Sequence, residues 1–455
     1  MAVFIAFMFS CNALDIAPSD SIDPSKAFRN VKDLNMGLLG AYAVLDYTLI
    51  GVNSIVSDEA NMPEENSVSN SDAYRWLYTA SSGSVTSAFD EYYSAIDRAN
   101  RVLGALDGVP APNDNDAAIK NQYKGELLAL RAYSHFEILR AYASAYENGA
   151  MGIPYMKESV ISNPAREPFE EVITNIKADL SEAKNLVPTS FNDNSRITKN
   201  GISAIQARLA LYEKNWADAI NYSTEVIEAV PLASADEFQD IWTDESDSEV
   251  VWKLKRVSGD TRIGGFYFRE AGGIVLYAPS YKLINTFDVV HDIRYTSYIS
   301  HETDRGNGKA PYLVKKYRGG DLSAPGLTDI KLFRTGEMFL IRAEALAESS
   351  AAIVQSVDDL NTLRHARIDG YTDETISSKD ALIQAIYTER YKELAFEGQR
   401  FFDLRRRNLP VKRSEADASN TSGALTLTPA DAQYALPIPA QEISVNHNMK
   451  QNPNY

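Results

Sequence analysis

Cys11 is the only thiol in a chain of 455 residues, and it stands directly behind the apolar run Ala2-Val-Phe-Ile-Ala-Phe-Met-Phe-Ser10. A short apolar stretch that can sit in a membrane, a small residue and then cysteine is the pattern of a bacterial lipoprotein processing site. Acyl chains on that sulfur and the new amino group would anchor a water-soluble body, each buried CH₂ contributing about 0.8 kcal/mol. Ten residues is short for a whole signal, so the reading expects translation to begin upstream of Met1.

Two clusters combine flat rings with polar edges. Asp72-Ala-Tyr74-Arg75-Trp76-Leu-Tyr78 follows a polar stretch from Asp58 to Ser71 that has no apolar period, which predicts that Trp76 is displayed. Phe266-Tyr267-Phe268-Arg269 and Tyr277 lie among glycine pairs. A pyranose presents C–H bonds on one face and hydroxyls around its rim, so a ring takes the face while Asp or Arg takes the edge. The candidate ligand contacts are therefore Asp58, Asp72, Tyr74, Arg75, Trp76, Tyr267, Phe268, Arg269 and Tyr277. Core packing is the competing role for each ring, and Trp216, Trp242 and Trp252 are assigned to it.

No catalytic constellation emerges beside these. The histidines at 135, 291, 301, 365 and 447 have no metal-ligand spacing and read as structural or surface residues. With 62 acidic residues, carboxylate pairs occur everywhere, and glycoside hydrolysis depends on a separation in space that sequence does not reveal. Asn113-Asp-Asn-Asp116 lacks the glycine and closing glutamate of a calcium loop and reads as a solvated turn. Glu389, Arg390, Glu393, Glu397, Arg400, Asp403 and Arg405 alternate in sign at helical and turn spacings. They are expected to form ion pairs tying a helix to the segment after Gly398, in preference to a phosphate or catalytic site. No cofactor or metal is expected, and a formal charge of −17 argues against nucleic acid.

Helices must position these residues. Phe169, Ile173, Ile176, Leu180, Ala183 and Val187 form one stripe, with Pro168 at its start and Pro188 after its end. Ala132, Phe136, Leu139, Ala143 and Tyr146 form another, as do Phe333, Gly336, Leu340, Ala343 and Ala347, and also Ile383, Tyr387, Tyr391 and Leu394. Ala207, Ala219 and Pro231 are spaced as in a tetratricopeptide hairpin, predicting helices over 202–214 and 217–230 with Trp216 at the turn. From 240 to 330 the texture changes: Val250-Val-Trp-Lys-Leu254 is strand-like, glycine pairs punctuate loops, and seven tyrosines fall between Tyr267 and Tyr317. The fold expected is dominated by α-helices, as irregular tetratricopeptide-like hairpins at about 115–232 and 331–405. Residues 1–11 form the signal and lipidation site, and 12–25 a tether with a mean reach of ~20 Å. Residues 26–455 make a single body with ligand-binding loops at about 50–100 and 240–330.

Several blocks resemble the SusD/RagB family of nutrient-binding outer-membrane lipoproteins. They are Leu130-Arg-Ala-Tyr-Ser-His-Phe-Glu-Ile-Leu-Arg-Ala-Tyr142, Ser195-Arg-Ile-Thr-Lys199, Lys331-Leu-Phe-Arg-Thr-Gly-Glu337 with Arg342-Ala-Glu-Ala345, and Asp359-Leu-Asn-Thr-Leu-Arg364. Thr388-Glu-Arg-Tyr-Lys-Glu-Leu-Ala-Phe-Glu-Gly-Gln-Arg-Phe-Phe-Asp-Leu-Arg405 and the stretch from Leu436-Pro-Ile-Pro439 to Gln451-Asn-Pro-Asn-Tyr455 complete the set. The resemblance implies a binder without catalysis. Such a protein sits on the cell surface, captures an oligosaccharide, and delivers it to a SusC-like TonB-dependent transporter over which it acts as a lid. The membrane is then met only through the lipid. A peptide-binding RagB-like member, a secreted all-α glycoside hydrolase and a purely recruiting helical scaffold are the alternatives.

Overall fold

The computed structural model describes residues 27–67, 69–349 and 352–455. The expected lipidation site at Cys11 and the tether at 12–25 lie outside the described residues. Helices dominate, in the order α1 Val31–Tyr42, α2 Thr48–Val56, α3 Gly83–Ala105, α4 Asp114–Tyr142, α5 Phe169–Leu186, α6 Lys199–Glu213, α7 Trp216–Ala229 and α8 Ala235–Thr243. They continue as α9 Thr335–Glu348, α10 Ile353–His365, α11 Lys379–Glu393 and α12 Arg400–Arg406. Packing follows chain order, α3 on α4, α4 on α5 and α6 on α7, after which α9 closes against α7, α10 and α11.

Local chemistry sets the helix ends. Asn113 is the N-cap of α4, its side chain accepting from the Asp116 N–H at 2.9 Å, so the acidic run at 113–116 is a helix start. Thr198 caps α6 and Asn215 caps α7 in the same way. Between them Lys214 adopts φ 59°, which turns the chain back. Ala207 and Ala219 are fully buried where the two helices cross. Trp216 opens α7 and packs, half-buried, on the core. Two stripes are corrected by the structure. Tyr146 lies beyond the end of α4 at Tyr142, and Phe333 belongs to a strand preceding α9. Trp242 and Trp252 are core residues.

Between α8 and α9 the helical frame is interrupted by loops and short strands. Ten strands are described: β1 Ala60–Asn61, β2 Val250–Leu254, β3 Phe268–Arg269, β4 Ile274–Val275, β5 Ala278–Pro279, β6 Ile299–His301, β7 Tyr312–Val314, β8 Ile330–Arg334, β9 Val411–Lys412 and β10 Thr426–Leu427. They form antiparallel pairs, of which β2–β8 bridges the two ends of the insertion, β6–β7 is a hairpin, and β1–β5 joins the insertion to the early part of the chain.

A buried ion network locks the insertion onto the frame. Glu393 on α11 meets Arg334 of β8 at 2.9 Å, Arg367 at 3.1 Å and Arg294 at 3.1 Å. Glu249 takes Arg334 at 2.5 Å and Arg367 at 2.7 Å. All five side chains are fully buried. Gly336 is required beside them, because a Cβ there would stand 2.5 Å from Glu393 Oε1. In the same block Asp403 receives Arg390 and Arg406, at 3.0 and 2.8 Å. The charged motif from Glu389 onward thus works inside the protein.

Candidate functional site

The pairing of β1 with β5 brings the early polar loop against the insertion, with Asn61 opposite Ala278. The Ser280 N–H donates to Glu59 O at 2.9 Å just beyond the pair. Tyr281 follows at the start of a single helical turn whose first N–H groups are held by Asp417, at 2.7 Å from Tyr281 N and 3.2 Å from Lys282 N. The β6–β7 hairpin supplies the opposite wall. Its register pairs His301 with Tyr312, and their rings stack with centroids 4.3 Å apart and planes within 11°. Tyr281 meets Tyr312 edge-on at 5.9 Å and 88°. The result is a surface cleft of about 180 Å³ lined by Asn61, Pro63, Glu64, Tyr281, Lys309 and Tyr312 among others. That is small beside the roughly 300–1,000 Å³ of sites that enclose a whole small molecule, and it suits a platform across which a longer ligand lies.

The hairpin tip is held in place by Glu65. Its carboxylate accepts from Arg305 at 2.9 Å, from Lys309 at 3.0 Å and from the Ala310 N–H at 2.9 Å. Burial alone would raise the Glu65 pKa, but these donors lower it, so the tie persists in mild acid. At the floor, Asn61 is 6% exposed and its Oδ1 has no hydrogen-bond partner, an acceptor left over beside two tyrosine rings.

Five of the residues singled out from sequence are interior. Asp58, 1% exposed, receives Arg400 at 2.7 Å and Lys282 at 2.6 Å. Burial would raise its pKa, yet the two cations hold the carboxyl down at about 2. Tyr267 shares a hydrogen bond with Ser54 at 3.0 Å, and Tyr277 donates to Ser69 O at 2.9 Å. Tyr74 and Trp76 flank the Arg413 guanidinium, at 4.0 and 4.1 Å, and the Trp76 Nε1–H donates to Val56 O at 2.9 Å. The expectation that Trp76 is displayed is therefore corrected: its polar tip is satisfied inside and its face covers a buried cation. Trp76→Ala is expected to cost about 3–5 kcal/mol of stability, as for other buried large-to-small changes, read as a lower denaturant midpoint. A folded variant of unchanged midpoint would contradict this placement.

The other four remain accessible. Asp72 and Arg75 are half-buried, with Arg75 Nε donating to Asn420 O at 2.7 Å; Phe268 is half-buried with Arg318 5.1 Å from its ring, and Arg269 is exposed. Sequence reasoning missed Tyr281, Tyr312 and Asn61 as site residues and read His301 as ordinary. The signal available was the Gly306-Asn-Gly308 tip between two short β-type runs, which marks a hairpin and sets His301 beside Tyr312. A larger cleft of about 640 Å³ lies at the ends of α4, α5 and α6. Its Phe169 and Tyr212 rings are 5% and 3% exposed, while Tyr146 is half-buried with its hydroxyl donating to Arg140 O.

A frame of tetratricopeptide-like helices thus carries a loop-built aromatic cleft at its surface. Residues 14–211 match the model described as starch-binding associating with outer membrane, and residues 251–455 match the model of the SusD family. The chain belongs to the SusD-like family. It is 24% identical to SusD-like protein P2 of Formosa agariphila over 100% of this chain and 98% of that one. Its fold is similar to a SusD superfamily protein of Bacteroides thetaiotaomicron, with a TM-score of 0.83 at 20% identity, covering 93% of this chain and 100% of the other. It is also similar to a SusD-like carbohydrate binding protein of Bacteroides vulgatus, with a TM-score of 0.78 at 22% identity, covering 93% and 98%. The family is one of sugar-binding proteins associated with the outer membrane.

Proposed function

We propose that the chain captures oligosaccharide at the Tyr281–Tyr312 cleft, breaks no bond in it, and passes it to a SusC-like TonB-dependent transporter for which it serves as a lid. Lipid on Cys11 would hold it at the cell surface. The observation that carries the reading is the pair of half-buried tyrosines set edge to face at a surface cleft, with the Asn61 amide beneath and Glu64 at the rim. A sugar ring stacks on one ring while its hydroxyls reach the Glu64 carboxylate at the rim. Asp72, Arg75, Phe268 and Arg269 are proposed as outlying contacts for a longer chain.

The working arrangement is tested in cells by feeding labelled palmitate and isolating the tagged protein. Label on the wild type, loss of label in Cys11→Ala, and a large barrel protein recovered with the wild type are the expected results. An unlabelled protein recovered alone would remove both the anchor and the partnership.

A further inference from the structure

The charged groups around the cleft pair off among themselves, and this constrains the ligand. Glu65 takes Arg305 and Lys309, at 2.9 and 3.0 Å, and its side chain is only 5% exposed. Asp58 takes Arg400 and Lys282, at 2.7 and 2.6 Å, and is 1% exposed. Lys282 also donates to Lys412 O at 2.7 Å. Each buried carboxylate thus occupies two cations. Asp417 spends its oxygens on the Tyr281 and Lys282 N–H groups. Glu64 is different: it lines the cleft, is exposed, and has no hydrogen-bond or ion-pair partner among the described residues.

Two carboxylates therefore hold four cations, and of the two charged side chains lining the cleft, Lys309 is paired while Glu64, the one free to meet a ligand there, is negative. An anionic segment in the cleft would find its one lining cation, Lys309, already committed to Glu65, would meet Glu64 at the rim, and would approach a chain of formal charge −17. Like-charge juxtaposition of this kind suppresses the wrong ligand even where the remaining contacts are shared. We infer that the cleft takes uncharged glycan segments and rejects uronate- or sulfate-bearing ones, with Glu64 as the specificity-determining residue. This rests on the capture of oligosaccharide proposed above.

Calorimetric titration at low salt with neutral hexaoses (malto-, cello- and laminari-) and with hexamers of guluronate and galacturonate tests it. At least one neutral hexaose is expected to bind, and the polyuronates to bind about tenfold more weakly or worse. In Glu64→Lys the ratio between the two classes is expected to shift toward the polyuronates by about tenfold, and added salt to erase the shift. Polyuronate binding by the wild type as tight as any neutral hexaose, or a ratio unmoved in Glu64→Lys, would overturn the assignment of ligand class and leave the capture of glycan standing. Silence with both classes would overturn the capture reading, and this inference with it.

Discussion

Glu393→Ala is expected to leave the protein largely unfolded or to lower its stability by about 3–5 kcal/mol, the usual cost of removing one partner from a buried ion pair. Three guanidiniums converge on that carboxylate within 2.9–3.1 Å, and none has water to turn to. Burial by itself would raise the Glu393 pKa, but Arg367, Arg334 and Arg294 drive it well below the ordinary carboxylate range. Without it, Arg334 would keep Glu249 and Glu397, Arg367 would have only Glu249, and Arg294 would be left with Asp292 and Glu389. Total stability of a folded domain is only about 5–15 kcal/mol, so the loss is severe. Urea denaturation followed by circular dichroism measures it. Arg101→Ala is the control, since its pair with Asp97 leaves both side chains substantially exposed, at 64% and 42%, and such surface pairs are worth about 0–1 kcal/mol. Equal effects of the two substitutions would contradict the role given to the network.

The same carboxylates set an acid limit. Glu389 and Asp403 are held at about 2 by neighbouring arginines that outweigh burial. Their contribution is present above the ordinary carboxylate range and is lost as pH falls from about 4 toward 2.

Tyr312→Ala is expected to weaken glycan binding by about 2 kcal/mol or more, the scale of an aromatic anchor at a binding hot spot, which is roughly thirtyfold in Kd. The ring is half-buried and stacks on His301, so its loss removes the platform while leaving the hairpin hydrogen bonds of β6 and β7 intact. Tyr312→Phe keeps the flat face and is expected to retain most of the affinity. Calorimetry of the two variants against the same oligosaccharide separates platform from hydroxyl. An alanine variant that is folded and binds as the wild type does would move the site away from this cleft.

The helical frame was legible because an amphipathic stripe is a property of neighbours in sequence. Phe169 to Ala183 face one way on any helix of that length, and Ala207 with Ala219 announces a close crossing wherever the hairpin lies. Helix ends were less legible, because Phe333 keeps the helical phase while its backbone pairs in β8 with Trp252. Tyr281 and Tyr312 could not be chosen from seven nearby tyrosines, since their exposure depends on contacts made by Asp417 and Glu65, distant residues with no periodic relation to them. Trp76 misled for the complementary reason. A polar loop precedes it, but the cation it covers, Arg413, comes from more than three hundred residues away. Local polarity foretold a loop, and long-range pairing decided which rings of that loop turned inward.

The central claim is capture without cleavage at the Tyr281–Tyr312 cleft. Its most direct test titrates the folded protein with a panel of oligosaccharides in a calorimeter, then chromatographs the recovered sugar. Saturable heat with the sugar returned intact, and no heat once Tyr281 and Tyr312 are both alanine, is the result expected. Shortened sugar in the recovered fraction, or undiminished heat from the double variant, would contradict the account.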